Sequence, residues 1–293
     1  MPTVSLRRSS ALGSALLCAA ASLTAAWASE GASAQQPPDL ASVFDLGQLV
    51  LDMNGDSVPD LLNASFVLGT APTVVETSAV AEIAARLGFE TMALDLPLAR
   101  GQGEGATIPI AIGRAGLDSA MLVATGVDTL SLDAGEGLVA LTTVANRTWL
   151  LVQGGDDAGL LAAARLLAGV LPHTRTLSAP RLDSVRLDLA AALDSAGVVG
   201  ATVRLTQARA RAGQAGISRV VAEIGGVEDV AAAAALSRLA AVTPPTVPAA
   251  DSTAPPSRRP LAYSGLSEVE ARLPGGTSLR LPGRAEPDPP GPI

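Results

Sequence analysis

The 293-residue chain carries a formal net charge of -8, and all 20 of its basic residues are arginine. An acidic balance of this size leaves no electrostatic footprint for nucleic acid or for an anionic membrane surface. Hydrophobic residues make up 48% but aromatics only 2%, so the cores must be built from Leu, Val and Ala. The absence of lysine in a chain so rich in Ala, Gly and Arg points to a GC-rich, bacterial coding sequence.

The N-terminus reads as a secretory signal over residues 1–34. Arg7 and Arg8 precede an uncharged apolar run from Ala11 to Trp27, and Ala32-Ser33-Ala34 then offers small residues for cleavage. Ala26-Trp27-Ala28 is a second exit. Charge, apolar run and small residues in that order mark export, and the run falls short of the roughly 20 residues of a membrane helix. The expected location is periplasmic or extracellular, with no stable membrane span after cleavage. Cys18, the only cysteine, lies inside the signal. The mature chain is therefore cysteine-free, although export permits disulfides. About 260 residues remain, enough for one large or two small domains.

The expected fold class is α+β: two small α/β sandwich-like domains, with mixed sheets and helices packed on one face. The first domain is placed at 42–172. Leu46 to Leu51 and Leu62 to Leu68 read as strands around a polar turn. Thr73 to Leu87 has helical spacing, with Val75, Ala79, Ile83 and Leu87 on one stripe, and Gly88 as its C-cap. Thr91 to Leu96 and Ile108 to Ile112 read as strands separated by a Gly-rich loop, Ala99 to Ala106. Gly137 to Val144 and Thr148 to Val152 form a hairpin around Asn146-Arg147. A helix from Asp156 to Leu171 ends at Pro172.

The second unit is placed at 182–281. Asp183 to Ser195 reads as a helix, Val198 to Ala208 and Ile217 to Ile224 as strands, and Val227 to Val242 as a helix. Residues 244–260 are rich in Pro, Ser, Thr and Ala and read as a flexible loop. Val269 to Leu273 and Thr277 to Leu281 flank Pro274-Gly275-Gly276, a hairpin turn. Residues 282–293 read as a disordered tail.

The sharpest motif is Asp52-Met53-Asn54-Gly55-Asp56-Ser57-Val58-Pro59-Asp60. Oxygen side chains stand at positions 1, 3, 5 and 9. A calcium ion takes six to eight hard oxygen ligands, and this spacing lets one turn wrap a single ion. Asp52, Asn54, Asp56 and Asp60 would supply side chains and Val58 a backbone carbonyl. These nine residues resemble the D-x-N-x-D loops of dockerins and of thrombospondin-type and integrin-like calcium repeats. They depart from the EF-hand pattern in having Ser57 at position 6 and Asn63 at position 12. The same residues also fit a plain hairpin turn, because Asn54-Gly55 suits a type I′ turn.

Gly154-Gly155-Asp156-Asp157-Ala158-Gly159 stands between a strand and a helix. Its spacing misses both phosphate-binding fingerprints, and two carboxylates occupy the anion's place. An N-cap at Asp156 or Asp157, with Gly159 allowing close packing, is the expected role. Glu136-Gly-Leu-Val-Ala-Leu and the run from Thr148 through this turn to Leu167 are similar to the small α/β domain that precedes the barrel in β-hexosaminidases and α-glucuronidases. They also resemble modules of periplasmic cellulose synthase subunits. The resemblance implies an accessory domain and carries over no catalytic residue.

His173 is the only histidine and cannot build a multi-His zinc site. No Gly-x-Ser-x-Gly elbow is present. Glu90 and Asp95, placed on one strand at an odd separation, would face opposite ways. The sequence therefore points to an exported accessory, binding or scaffolding protein of the bacterial envelope, with envelope proteins or polysaccharide as partners. Two alternatives stand beside it: the N-terminal part of a secreted hydrolase, and a structural envelope protein with a calcium-stabilised loop.

Overall fold

The computed structural model describes residues 38–91, 108–117, 127, 131–169, 182–214, 217–240 and 268–282. The expected signal, the strand residues 92–96, the loop 99–106, His173, the Pro-rich segment 244–260 and nearly all of the tail lie outside these residues.

The described chain runs β1 (Val50–Leu51), β2 (Leu61–Leu62), β3 (Ala64–Val67), α1 (Val74–Thr91), β4 (Ile108–Ile112), β5 (Glu136–Val144), β6 (Arg147–Gly154), α2 (Asp157–Ala168), α3 (Leu182–Ser195), β7 (Thr202–Arg211), β8 (Arg219–Gly225), α4 (Asp229–Ala240), β9 (Glu268–Arg272) and β10 (Ser278–Pro282). β1 and β2 pair as a small antiparallel ladder. The other eight strands form one mixed sheet in the order β10-β9-β8-β7-β5-β6-β4-β3.

The mixed α/β character expected from the sequence is present, but the two halves do not carry a sheet each. β5 pairs with β7 from Glu136↔Arg211 to Ala140↔Gln207, and the described residues form one compact unit. The reason lies in the strand faces. Val139 and Leu141 on β5 and Leu205 and Ala208 on β7 bury into the same apolar cluster. Splitting the sheet there would expose that cluster and leave a row of backbone donors and acceptors unpaired.

All four α-helices among the described residues contribute to that one cluster. α1 supplies Ala79, Ile83 and Leu87, α2 Leu160 and Leu167, α3 Leu189 and Leu193, and α4 Ala232 and Leu236. Strand residues two apart, such as Ile108, Ile110 and Ile112, meet them from below, as the period of a pleated strand requires. The opposite face splits by sequence. Under β3–β6 it is apolar, with Val67, Ala111, Leu138 and Leu151 in a second, smaller cluster. On β7–β9 charged residues alternate with the core; Arg209 pairs across strands with Glu136 and Arg219 with Glu268 and Glu270, while Arg272 pairs with Glu270 along β9.

The caps explain where the elements stop. Thr73 and Glu76 form a capping box: Glu76 N donates to Thr73 Oγ1 at 3.1 Å, and Thr73 N donates to Glu76 Oε2 at 2.8 Å. α1 does not end at Gly88. Gly88 has no positive φ, and the helix continues to Thr91, supported by the Arg86–Glu90 ion pair and by Thr91 Oγ1 donating to the Leu87 carbonyl at 2.9 Å. Thr91 is thus helical, and Glu90, expected on a strand, is a helix residue; Asp95 lies outside the described residues. α2 starts at Asp156, whose Oδ1 accepts from Gly159 N at 2.8 Å, and stops at Gly169, φ 65°, before Pro172 can act. The β5–β6 turn uses Ala145 and Asn146, both with positive φ, one residue earlier than expected. Among the described residues no helix is long and apolar enough to cross a membrane.

Candidate functional site

The loop 52–60 hangs between β1 and β2, whose register pairs Leu51 with Leu61 and Val50 with Leu62. Its closure is local. Asp60 N donates to the Leu51 carbonyl at 2.8 Å, and Met53 N donates to Asp60 Oδ2 at 3.0 Å. Asp52 organises the turn: its Oδ1 accepts from Asn54 N at 3.1 Å and from Gly55 N at 2.6 Å, and its Oδ2 accepts from Ser57 N at 2.7 Å. Asp56 Oδ1 accepts from Val58 N at 2.8 Å. Gly55 and Ser57 both have positive φ, 83° and 66°. Asn54 does not, so the two-residue type I′ turn that Asn54-Gly55 suggests does not form; the longer loop needs its turn at Gly55 and again at Ser57.

The result is a convergence of charge. Carboxylate oxygens of Asp52, Asp56 and Asp60 all lie within 4.8 Å of one another. Two such charges repel by about 1 kcal/mol even in water, and a divalent cation would reverse the sign of that interaction. The Gly55 amide, followed by those of Ser57, Asn54 and Asp56, holds the Asp52 carboxyl below its ordinary range against the opposing effect of desolvation. Asp52 is therefore ionised at neutral pH. This exposed cluster has the donor set to hold a hard divalent cation. It is the only such cluster among the described residues.

The other expected ligands stand differently. Asn54 is tied to Asp56 twice: its Oδ1 accepts from Asp56 N at 2.9 Å, and its Nδ2 donates to Asp56 Oδ2 at 3.2 Å. A lone pair of Asn54 Oδ1 remains, since a carbonyl oxygen has two. Val58 N is turned to Asp56, and its side chain is exposed. Asn63, at position 12, is buried and its Nδ2 donates to the Gln48 carbonyl at 3.1 Å, so it faces the body of the protein.

The Gly154–Gly159 turn has the structural role expected of it. Asp156 is the N-cap of α2, and the Gly159 amide, ahead of that of Gly135, lowers its carboxyl below the ordinary range. One concavity carried no sequence signal. It opens where β5 and β7 part, and its walls come from residues between Pro38 and Arg272.

No protein-family model matches the chain, and no curated protein matches it.

Proposed function

We propose that this chain is an exported, non-catalytic accessory protein of the bacterial envelope that binds calcium through the 52–60 loop and serves as a binding or scaffolding partner of envelope proteins or polysaccharide. The observation that carries this reading is the meeting of the Asp52, Asp56 and Asp60 carboxylates within 4.8 Å on an exposed loop. Three side-chain oxygens, the Asn54 amide oxygen, the Val58 carbonyl and water would bring calcium to its usual six to eight ligands. With no ligand from position 12, affinity belongs at the weak, extracellular end of the range, about 10⁻⁴–10⁻³ M. The signal-type N-terminus supports this reading, because calcium at such concentrations is met outside the cytoplasm. A hairpin, β5–β6, that enters α2 through a Gly-Asp turn supports the accessory-domain resemblance.

The test is thermal unfolding with millimolar calcium against chelator. Ligand that binds only the folded state raises the midpoint. The rise should disappear in Asp52→Asn and Asp56→Asn. An unchanged midpoint in the parent chain, or an equal rise in both variants, would overturn the calcium assignment. Glycosidase turnover by the purified chain would overturn the non-catalytic one.

A further inference from the structure

β5 and β7 pair only as far as Ala140↔Gln207. Beyond that point the β5–β6 hairpin carries Leu141 to Thr148 away, while β7 bulges at Thr206. The segment at Pro38 and Asp39 takes the vacated side of β7: Leu205 N donates to Asp39 Oδ1 at 2.9 Å, and Arg204 Nη1 donates to the Pro38 carbonyl at 3.4 Å. The fork so formed is a cavity of about 180 Å³. That is smaller than the roughly 300–1,000 Å³ of sites for drug-sized ligands, and suits one small molecule.

We propose that this fork binds a single neutral, hydroxyl-rich molecule of monosaccharide size. The charges in its wall are balanced. Glu223 is paired with Arg204, and Arg272 donates through Nε to Glu270 at 2.8 Å, so no net charge is left to recruit an ion. What remains is neutral hydrogen-bonding capacity. The Gln207 amide and the Thr143 and Thr148 hydroxyls line the cavity and have no side-chain partner among the described residues. The Arg272 guanidinium has four donors beyond the one engaged by Glu270. A sugar hydroxyl both donates and accepts, which matches amide, hydroxyl and guanidinium groups together. Pro38, Val127 and Leu141 supply apolar wall for its C–H face. An apolar ligand would leave Gln207 and the threonines desolvated without partners.

This assignment deepens the reading of the chain as a binding protein in a polysaccharide setting, but it uses none of the calcium loop. The test is saturation-transfer NMR of the full chain with D-glucose, D-galactose and N-acetyl-D-glucosamine, in chelator, with L-glutamate and sulfate as charged competitors. Transfer to at least one sugar is expected. It should weaken roughly fivefold or more in Gln207→Leu, the effect of losing one hydrogen bond, and should persist with either competitor. Thr143 is exposed, so Thr143→Val retains the fold and decides the matter if Gln207→Leu does not fold. No transfer to any of the three sugars, equal transfer in the variants, or displacement by glutamate or sulfate would overturn the assignment. Because chelator is present throughout, failure here is distinct from failure of the calcium reading.

Discussion

The carboxylate of Asp39 lies 2.9 Å from the backbone nitrogen of Leu205, 166 residues further along the chain. It takes the place on β7 that a carbonyl of β5 would hold if the two strands stayed paired. The same carboxylate accepts from Ala41 N at 2.9 Å and pairs with Arg186 of α3 at 3.1 Å. Asp39 thus ties the first described residues to the second half of the chain. Asp39→Ala would leave the Leu205 amide and the Arg186 guanidinium without their partner. The expected cost is about 2–4 kcal/mol, within the usual range for breaking a mostly buried charged hydrogen bond. Urea denaturation measures it, and a loss under about 0.5 kcal/mol, typical of a surface site, would show that β7 does not depend on this contact.

Gly137 on β5 and Gly159 on α2 face each other at backbone distance. A Cβ on Gly137 would overlap the Gly159 carbonyl, and one on Gly159 would overlap the Glu136 carbonyl. Backbone atoms cannot swing aside, so Gly159→Ala should destabilise by about 3 kcal/mol or more. Gly88 offers the opposite case. It is a mid-helix glycine whose added Cβ meets nothing within 4 Å, so Gly88→Ala should stabilise by about 0.5–1 kcal/mol. Equal effects of the two substitutions in thermal unfolding would refute the packing account.

The lowered carboxyl of Asp52 links stability to acid. A group whose folded value lies below its unfolded one stabilises above the unfolded value, about 3.9 for aspartate. That contribution fades as pH falls through the folded value. Without metal, the parent chain should therefore exceed Asp52→Asn in stability above about pH 4, with the difference closing at lower pH. A stability difference that stays constant from neutral pH down to acid would contradict the hydrogen bonds that the Gly55, Ser57 and Asn54 amides donate.

Among the described residues the buried Thr206 hydroxyl has no partner. Replacing it by the isosteric methyl of valine removes a desolvated polar group while keeping the volume. Thr206→Val should be neutral or stabilise by up to about 1 kcal/mol. A loss of more than about 1 kcal/mol would mean that the hydroxyl makes a hydrogen bond in solution.

Much of the secondary structure was legible in local pattern. The stripe Ala79–Ile83–Leu87, the alternation of Val220, Ala222 and Ile224, and the Asp156 cap depend on neighbours in sequence, and the structure has them within a few residues. The Asp52–Asp60 loop was legible for the same reason: all its hydrogen bonds are made within the loop and the strand ends that carry it. The errors came where a longer-range or competing contact won, as at Gly88, where the Arg86–Glu90 pair and Thr91 carry α1 past a residue that locally reads as a stop.

Sequence by itself determined the helix and strand pattern, the acidic loop and the mixed α/β class, because periodicity, capping and turn chemistry act over a few residues. Only the tertiary structure decided that both halves share one sheet, and where that sheet forks. The β5–β7 pairing joins residues 136–140 to 207–211, and Asp39 reaches Leu205 across the whole of the first half. Such contacts depend on which apolar faces meet and which backbone groups would otherwise lack partners, and no local spacing encodes either.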